Sequence, residues 1–427
     1  MSRESLTSSF LYEKIIFSIV NYGGRRIKPI QASETRNYPV RRFEPDDELS
    51  HEQQQLRETV ARFFEREVTP HVAAFEQREE FDWSLPARLA EFGFLGGVLP
   101  ESEGGYGMSA MDYTVLMEEA GYCWHSLRAI FNTMNMAIVL LSKLGTPEQK
   151  DKYLKPLMAG QLKVWVGITE PDHGSNVAGM ETKARRDGDH YVVNGTKLWI
   201  TNGMIGDIGI LMARVPPGRE GEPHGITAFI VDKTQTDYSA RRLKTMILHA
   251  TVTSELSFSE ARVPAGNVLG PVGQGLRSIL EALSFGRLSV AAGAVGASQA
   301  ALDLSLHYVQ TRKQFGELIG SYQLVQRMIV EMRVRTDAAR QLCRRAARAV
   351  DRGLPGRLEC SIAKLYAAQA AHEVADYALQ VHGGMGYSQD YPIERIFRDT
   401  RGAIIPEGTT EIQTLIIGRE LLGLSAF

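Results

Sequence analysis

Tyr191-Val192-Val193-Asn194-Gly195-Thr196-Lys197-Leu198-Trp199-Ile200-Thr201-Asn202-Gly203 holds two short β-rich runs, 191–193 and 198–201, in a chain that reads as helix towards both ends. β-Branched and aromatic residues dominate it. Asn-Gly occurs twice, and Asn-Gly among alternating apolar residues signals a hairpin or turn. Further β-rich runs follow at 208–213, 227–231 and 256–258. Residues 166–274 are therefore expected to form a small antiparallel sheet or barrel.

Both flanks have helical periodicity. Leu56, Val60, Phe63, Phe64 and Val68 recur at spacings of three and four, and Pro70 stands where a helix stops. Residues 101–107 form a Gly-rich loop, and 111–120 and 135–144 read as helices. Thr146-Pro147-Glu148 supplies an N-cap with proline at the first helical position, where its missing amide costs nothing. On the C-terminal side, 278–309, 328–352 and 363–379 are helical, and Ala291-Ala292-Gly293-Ala294 suits a helix buried against others. The expected fold is mainly α with a central β domain. It comprises an N-terminal extension over 1–45 (disordered, a leader or an upstream start), a helical domain over 46–165, a middle β domain over 166–274 and a helical bundle over 275–427. No internal repeat is visible.

The chain has 427 residues and a net charge of −2, which does not suggest the basic face of a dedicated nucleic-acid binder. Cys123, Cys343 and Cys360 are odd in number and fit neither a disulfide framework nor a CxxC site, so a reducing compartment is expected. The histidines are scattered without an HExxH pattern, and no metal site is expected. No apolar run reaches the roughly 18 residues that span a bilayer. The first 45 residues carry Arg25, Arg26, Lys28, Arg36, Arg41 and Arg42, as a transit peptide does, but Glu4 and Glu13 interrupt them. The expected location is the cytoplasm of a bacterium, or the mitochondrial matrix if the source is eukaryotic.

Five segments carry chemistry. Gly167-Ile168-Thr169-Glu170-Pro171-Asp172-His173-Gly174-Ser175-Asn176 is a polar loop whose amides and hydroxyl could meet a flavin edge. Trp199 offers a flat face for an isoalloxazine ring or for the core. Thr311-Arg312-Lys313-Gln314-Phe315-Gly316 presents the planar fork of an arginine to a diphosphate, or an Arg-Lys pair to solvent. Gln380-Val381-His382-Gly383-Gly384-Met385-Gly386 lets backbone approach a phosphate or ribose. It follows a helix, so it fails the context of a dinucleotide-binding strand–turn–helix. In Pro406-Glu407-Gly408-Thr409-Thr410-Glu411-Ile412, Thr410 with Gln413 makes a capping box. Glu407 then precedes a helix N-terminus in a loop that Gly408 makes pliable.

The order and spacing of these segments, together with Arg262-Val263-Pro264, are similar to those of the acyl-CoA dehydrogenase family over residues 48–427. The resemblance implies an N-terminal helical domain, a middle β domain and a C-terminal four-helix bundle. It implies FAD, with Ile168, Thr169, Trp199 and Thr201 at the ring and ribityl arm. Ser175 would lie near the phosphates or the CoA. Arg312, Gln314, Phe315, Gln380, Gly383 and Gly384 would meet the ADP half of a neighbouring subunit's cofactor, and Thr409 and Glu411 would close over it. Arg287 would lie near the CoA. A homodimer or homotetramer follows from shared cofactor sites, and an electron-transfer flavoprotein is the implied acceptor. Ile416-Ile417-Gly418-Arg419…Gly423…Ala426-Phe427 and Met180-Glu181-Thr182 resemble the glutaryl-CoA dehydrogenase branch. There Arg128 would pair with the substrate's distal carboxylate. Ala129 and Pro406 depart from that branch and Asn176 from the family's Gly-Ser-Asp, which opens the questions of glutarate and of decarboxylation.

The implied reaction is α,β-dehydrogenation of an acyl thioester. Glu407 removes the α-proton, the Glu407 amide and the ribityl hydroxyl hold the thioester oxygen, and the flavin takes the β-hydride. A buried carboxylate beside a neutral flavin is expected to have a raised pKa. Some relatives carry the base on the long helix, near position 286, but Gly286 cannot act. The alternatives are a dehydrogenase of carrier-protein-bound thioesters, a flavin monooxygenase or nitroalkane oxidase of the same fold, and a DNA-associated relative with a silent flavin.

Overall fold

The computed structural model describes residues 48–425. The readings of residues 1–45 and of Ala426-Phe427 lie outside them. The chain divides into two compact units. One comprises Phe75–Gly107 and Ala129–Gly286; the other comprises the segment ending at Ala74, Met108–Arg128 and Arg287 onward.

The long helices are α1 (His51–Glu67), α2 (Ala110–Cys123), α3 (His125–Leu144), α4 (Gly275–Val309), α5 (Gln323–Asp351), α6 (Arg357–His382), α7 (Ile393–Ala403) and α8 (Thr410–Leu422). Ser50 with Gln53 and Ser109 with Asp112 cap α1 and α2 reciprocally. Thr146 does the same with Gln149 around Pro147. In the helical unit, Ala291, Ala294, Ala339, Ala346, Ala363 and Ala367 share one buried cluster, so α4, α5 and α6 meet through methyl groups. Backbone approaches closer still between α2 and α4: a Cβ on Gly121 would stand 2.2 Å from the Gly293 carbonyl oxygen. By length and composition α3 and α4 could each cross a bilayer, but 72% of the apolar stretch in each is buried, as in core helices.

The other unit is built on a sheet of β1 (Val164–Gly167), β2 (Lys183–Asp187), β3 (His190–Ile200), β4 (Ile208–Val215), β5 (Gly225–Asp232), β6 (Ser239–Arg242), β7 (Ser254–Pro264) and β8 (Val268–Leu269). The order is β6-β7-β3-β2-β4-β5-β8, with β1 parallel to β4. Trp165, Leu211, Phe229, Val231 and Leu256 form its core.

Two local expectations are corrected. Asn194-Gly195 is not a hairpin turn but lies inside β3, at the register shift against β7. The Asn194 side chain spans the interruption: its Nδ2 donates to Glu260 Oε1 (2.7 Å) and its Oδ1 accepts from the Glu260 amide (2.9 Å). Gly195 fits there because a Cβ would stand 2.5 Å from Thr182 Oγ1. The β2–β3 turn instead uses Gly188, at φ +61°. Asn202-Gly203 does turn the chain, with Asn202 at φ +60°. The second correction is at α8, whose N-cap is Thr409 rather than Thr410. The Thr409 hydroxyl accepts from the Ile412 amide, while Gln413 reaches back to the Glu407 and Gly408 carbonyls.

Candidate active site

Glu407 sits between α7 and α8 at φ +60°, followed by Gly408 at φ +92°. A non-glycine residue in the left-handed region costs about 1–2 kcal/mol, so its surroundings must hold it there. Three buried side chains do. Gln413 Nε2 donates to the Glu407 carbonyl (2.9 Å) and the Gly408 carbonyl (3.0 Å). Lys364 Nζ donates to the Gly408 carbonyl (2.8 Å) and the Ile404 carbonyl (2.9 Å). Arg287 Nε makes a long bond to the Glu407 carbonyl, at 3.4 Å.

The electrostatics converge on the same residue. Burial lowers Arg128 to about 10 and Lys364 to about 8, and it lowers Arg287 as well; the Glu407 carboxylate is the strongest opposing influence on all three. Tyr113 on α2 is pushed up by burial, with the Ser289 hydroxyl and Arg128 opposing the rise and Glu407 adding to it. A half-buried carboxylate thus stands among three buried cations and a phenol contributed by α2, α3, α4 and α6. Such an acid is fixed in place and charge-compensated, as proton abstraction from a bound carbon acid requires.

Arg128 itself is 2% exposed, and its Nη2 contacts His125 Nε2 at 3.2 Å. Its Nε has no hydrogen-bond partner, and no carboxylate pairs with it among the described residues. Arg128, Arg287 and Glu407, taken as separate elements in the sequence, are therefore brought together. Lys364, Tyr113 and His125 belong with them and were not read from the sequence, and Gln413 was read only as a helix cap. For Lys364 a signal existed: Cys360, Ala363, Ala367 and Ala371 share its helical stripe, and a lysine among them points inward.

Of the second group of site residues, Arg312 lines a cavity of about 270 Å³ together with Tyr308, Thr311, His382 and Met385. Of these, His382 and Met385 flank Gly383-Gly384 in the turn that holds them. Both glycines are open, since a Cβ on either would meet nothing within 4 Å. Gln314 and Phe315 lie in a small exposed hairpin, with Phe315 95% exposed at φ +52°. Gln380 is exposed on the last turn of α6, and Glu411 on the first turn of α8.

The third group is in the sheet unit. Lys197 Nζ donates to the Ile168 carbonyl (3.0 Å) and to Glu170 Oε1 (2.8 Å), and the Leu198 amide donates to the Thr169 carbonyl (2.9 Å). The loop holding Ile168 and Thr169 is thereby pinned to β3. Trp199 is 58% exposed at φ +61°, Thr201 is half-buried and Ser175 is exposed. In the sheet unit an uncovered indole face and a hydroxyl-bearing loop on a rigid strand fit a flavin ring; in the helical unit Arg312 and two open glycines fit a dinucleotide's phosphates.

Comparison with known proteins agrees. Residues 50–161, 166–261 and 273–422 match the N-terminal, middle and C-terminal domains of acyl-CoA dehydrogenase. A probable acyl-CoA dehydrogenase of Bacillus subtilis, YngJ, is 38% identical over 88% of this chain and 99% of its own length. Subunit CarC of a caffeyl-CoA reductase–Etf complex from Acetobacterium woodii is 35% identical, again over 88% and 99%. A glutaryl-CoA dehydrogenase from Mycobacterium smegmatis, solved in complex with FADH2, superposes with a TM-score of 0.84 at 30% identity, covering 89% of this chain and 97% of that one. The chain belongs to the acyl-CoA dehydrogenase family, oxidoreductases acting on CH–CH bonds.

Proposed function

We propose that the protein oxidises the Cα–Cβ bond of an acyl-CoA thioester with Glu407 as the base and FAD as its cofactor. The observation that carries this reading is the Glu407 loop, a strained acid held by Lys364, Gln413 and Arg287 and surrounded by buried cations. FAD, when bound, supplies the acceptor for the β-hydride. Ile168, Thr169, Trp199 and Thr201 would hold its ring, and Arg312 and the Gly383-Gly384 turn would meet the ADP half of a neighbouring subunit's cofactor. The Glu407 carboxylate takes the α-proton, and its own amide donates to the thioester oxygen, which gains charge as the proton leaves. The Glu407 Oε2 atom is itself buried, which restricts water around it.

The Arg128 Nε, buried and without a hydrogen-bond partner, supports a short acyl group ending in a carboxylate. A buried donor left unsatisfied is costly, and a substrate carboxylate would remove that cost. An electron-transfer flavoprotein is the proposed acceptor, in keeping with the complex from which the CarC relative takes its name. The proposed assembly is a homotetramer or homodimer.

Glu407→Gln is expected to stay yellow and to lose about 10²–10⁴-fold in turnover, the usual contribution of a positioned base. The measurement is turnover of a panel of acyl-CoA esters with an artificial electron acceptor. Near-full turnover by Glu407→Gln would overturn the assignment of the base.

A further inference from the structure

Lys364 lies in the N-terminal third of α6, fully buried, with Cys360, Ala363, Ala367 and Ala368 around it on the helix. Lysine is almost never fully buried unless paired, yet no carboxylate forms an ion pair with Lys364 among the described residues. Two of its three donors go to backbone carbonyls, Ile404 at 2.9 Å and Gly408 at 2.8 Å. These two residues bracket Glu407. A neutral amide or hydroxyl could serve as donor to a carbonyl at far lower desolvation cost, so holding the loop together does not by itself explain an ammonium.

We infer that Lys364 is a positioning residue for proton abstraction: its ammonium ties the backbone on both sides of Glu407, and its charge faces the acid it holds. The inference rests on Glu407 being the base. The groups facing Lys364 are Glu407 and Glu411, which favour its charge, and Arg287 and Arg128, which oppose it. Those facing Glu407 are Lys364 from α6, Arg287 from α4, Arg128 from α3 and Tyr113 from α2. Gln413, from α8 and without a charge, shares the Gly408 carbonyl with Lys364 and adds a bond to the Glu407 carbonyl. Removing Lys364 therefore leaves part of the clamp while deleting one of three cations.

The test uses the full chain loaded with FAD and acetoacetyl-CoA as probe. The acidic α-carbon of this thioester gives up its proton without redox turnover, and its enolate, stacked on oxidised flavin, absorbs at long wavelength. The band is titrated against pH for wild type, Lys364→Met and Glu407→Gln, alongside kcat and KM for butyryl-CoA. Lys364→Met is expected to need a pH higher by about one unit for half-maximal enolate, a tenfold change. Its kcat is expected to fall about 10–100-fold with KM within about threefold, as for a displaced reacting group. A wild-type titration and kcat in Lys364→Met would overturn the inference. If Lys364→Met does not accumulate as folded holoenzyme, Lys364→Gln, which keeps one N–H for a carbonyl, is held to the same outcomes. Failure of both to fold would assign the lysine to stability alone and overturn the inference. Full enolate formation by Glu407→Gln would instead bring down the assignment of the base.

Discussion

Arg128 Nη2 lies 3.2 Å from His125 Nε2, with both side chains buried. An arginine only donates, so His125 accepts at Nε2 and carries its proton on Nδ1. Burial first, and Arg128 second, hold the imidazole well below its ordinary pKa, so it stays neutral. Arg128 thus gains a hydrogen bond but no charge compensation from its neighbour. Arg128→Met should lower kcat/KM for glutaryl-CoA by about 10–100-fold, the equivalent of a charged hydrogen bond of about 1.5–3 kcal/mol. Butyryl-CoA, which offers no distal anion, should lose far less. Equal losses on the two esters would show that Arg128 serves the structure and not the acyl chain.

The pH dependence of turnover should carry a mark of Lys364. Burial brings its pKa down to about 8, against the attraction of Glu407. As pH rises through that value the ammonium loses its proton, and the charge facing Glu407 goes with it. Wild-type kcat should therefore decline above about pH 8, a limb that Lys364→Met should lack because its side chain is neutral throughout. A basic limb unchanged in Lys364→Met would place its origin elsewhere.

Glu170 and Lys197 make the corresponding buried pair in the sheet unit, 2.8 Å apart and 6% and 0% exposed. Burial alone would raise Glu170, but the Glu181 amide, Lys197 and Thr182 together outweigh it and bring it down to about 2. Its ordinary value is 4.5. The folded state therefore binds fewer protons than the unfolded state between the two values, and the stability Glu170 contributes, full above pH 4.5, is lost as pH falls toward 2. Lys197→Met strands the carboxylate and should cost about 3–5 kcal/mol, whereas adding Glu170→Gln should recover much of it. Lys197 also bonds the Ile168 carbonyl, so the single variant should retain FAD poorly. Urea midpoints for the four-membered cycle, with flavin absorbance per chain, check both points. Additive losses would show that the two side chains are not coupled.

The parts of the site readable from sequence lie where composition and spacing constrain each other: the Glu407-Gly408-Thr409 loop, the Gly383-Gly384 turn and the pairing of Trp199 with a β run. The Asn194-Gly195 reading failed because that dipeptide marks a hairpin only when the flanking segments pair with each other. Here β3 pairs with β7, which is distant in sequence. The cap of α8 was displaced by one residue because Thr409 and Thr410 are chemically equal, and only the backbone decides which stands at φ −60°, ψ 167°. Lys364 was overlooked because lysine on a helix ordinarily reads as solvated, although its register already placed it among buried alanines. That Arg128, Arg287 and Lys364 share one acid is a property of four elements crossing, and no single window of sequence contains it.

That crossing depends on glycine, and the dependence can be measured. A Cβ on Gly121 would stand 2.2 Å from the Gly293 oxygen, 2.5 Å from its Cα and 2.7 Å from its carbonyl carbon. Backbone cannot rotate out of the way as a flexible side chain can, so α2 and α4 must separate. α2 carries Tyr113, and Gly293 packs against the Arg128 side chain, whose Cγ would be 2.8 Å from a Cβ placed there. Gly121→Ala should therefore destabilise the protein by about 1–3 kcal/mol through overpacking, although alanine is intrinsically the better helix former by about 1 kcal/mol. It should also lower kcat, by moving Tyr113 and Arg128 relative to Glu407. Gly418 on α8 is the control: a Cβ there meets nothing within 4 Å. Gly418→Ala should gain about 0.5–1 kcal/mol and leave turnover unchanged. Thermal midpoints of opposite sign for the two variants are expected. A stabilised, fully active Gly121→Ala would mean that α2 has room to move and that the close crossing does not set the geometry around Glu407.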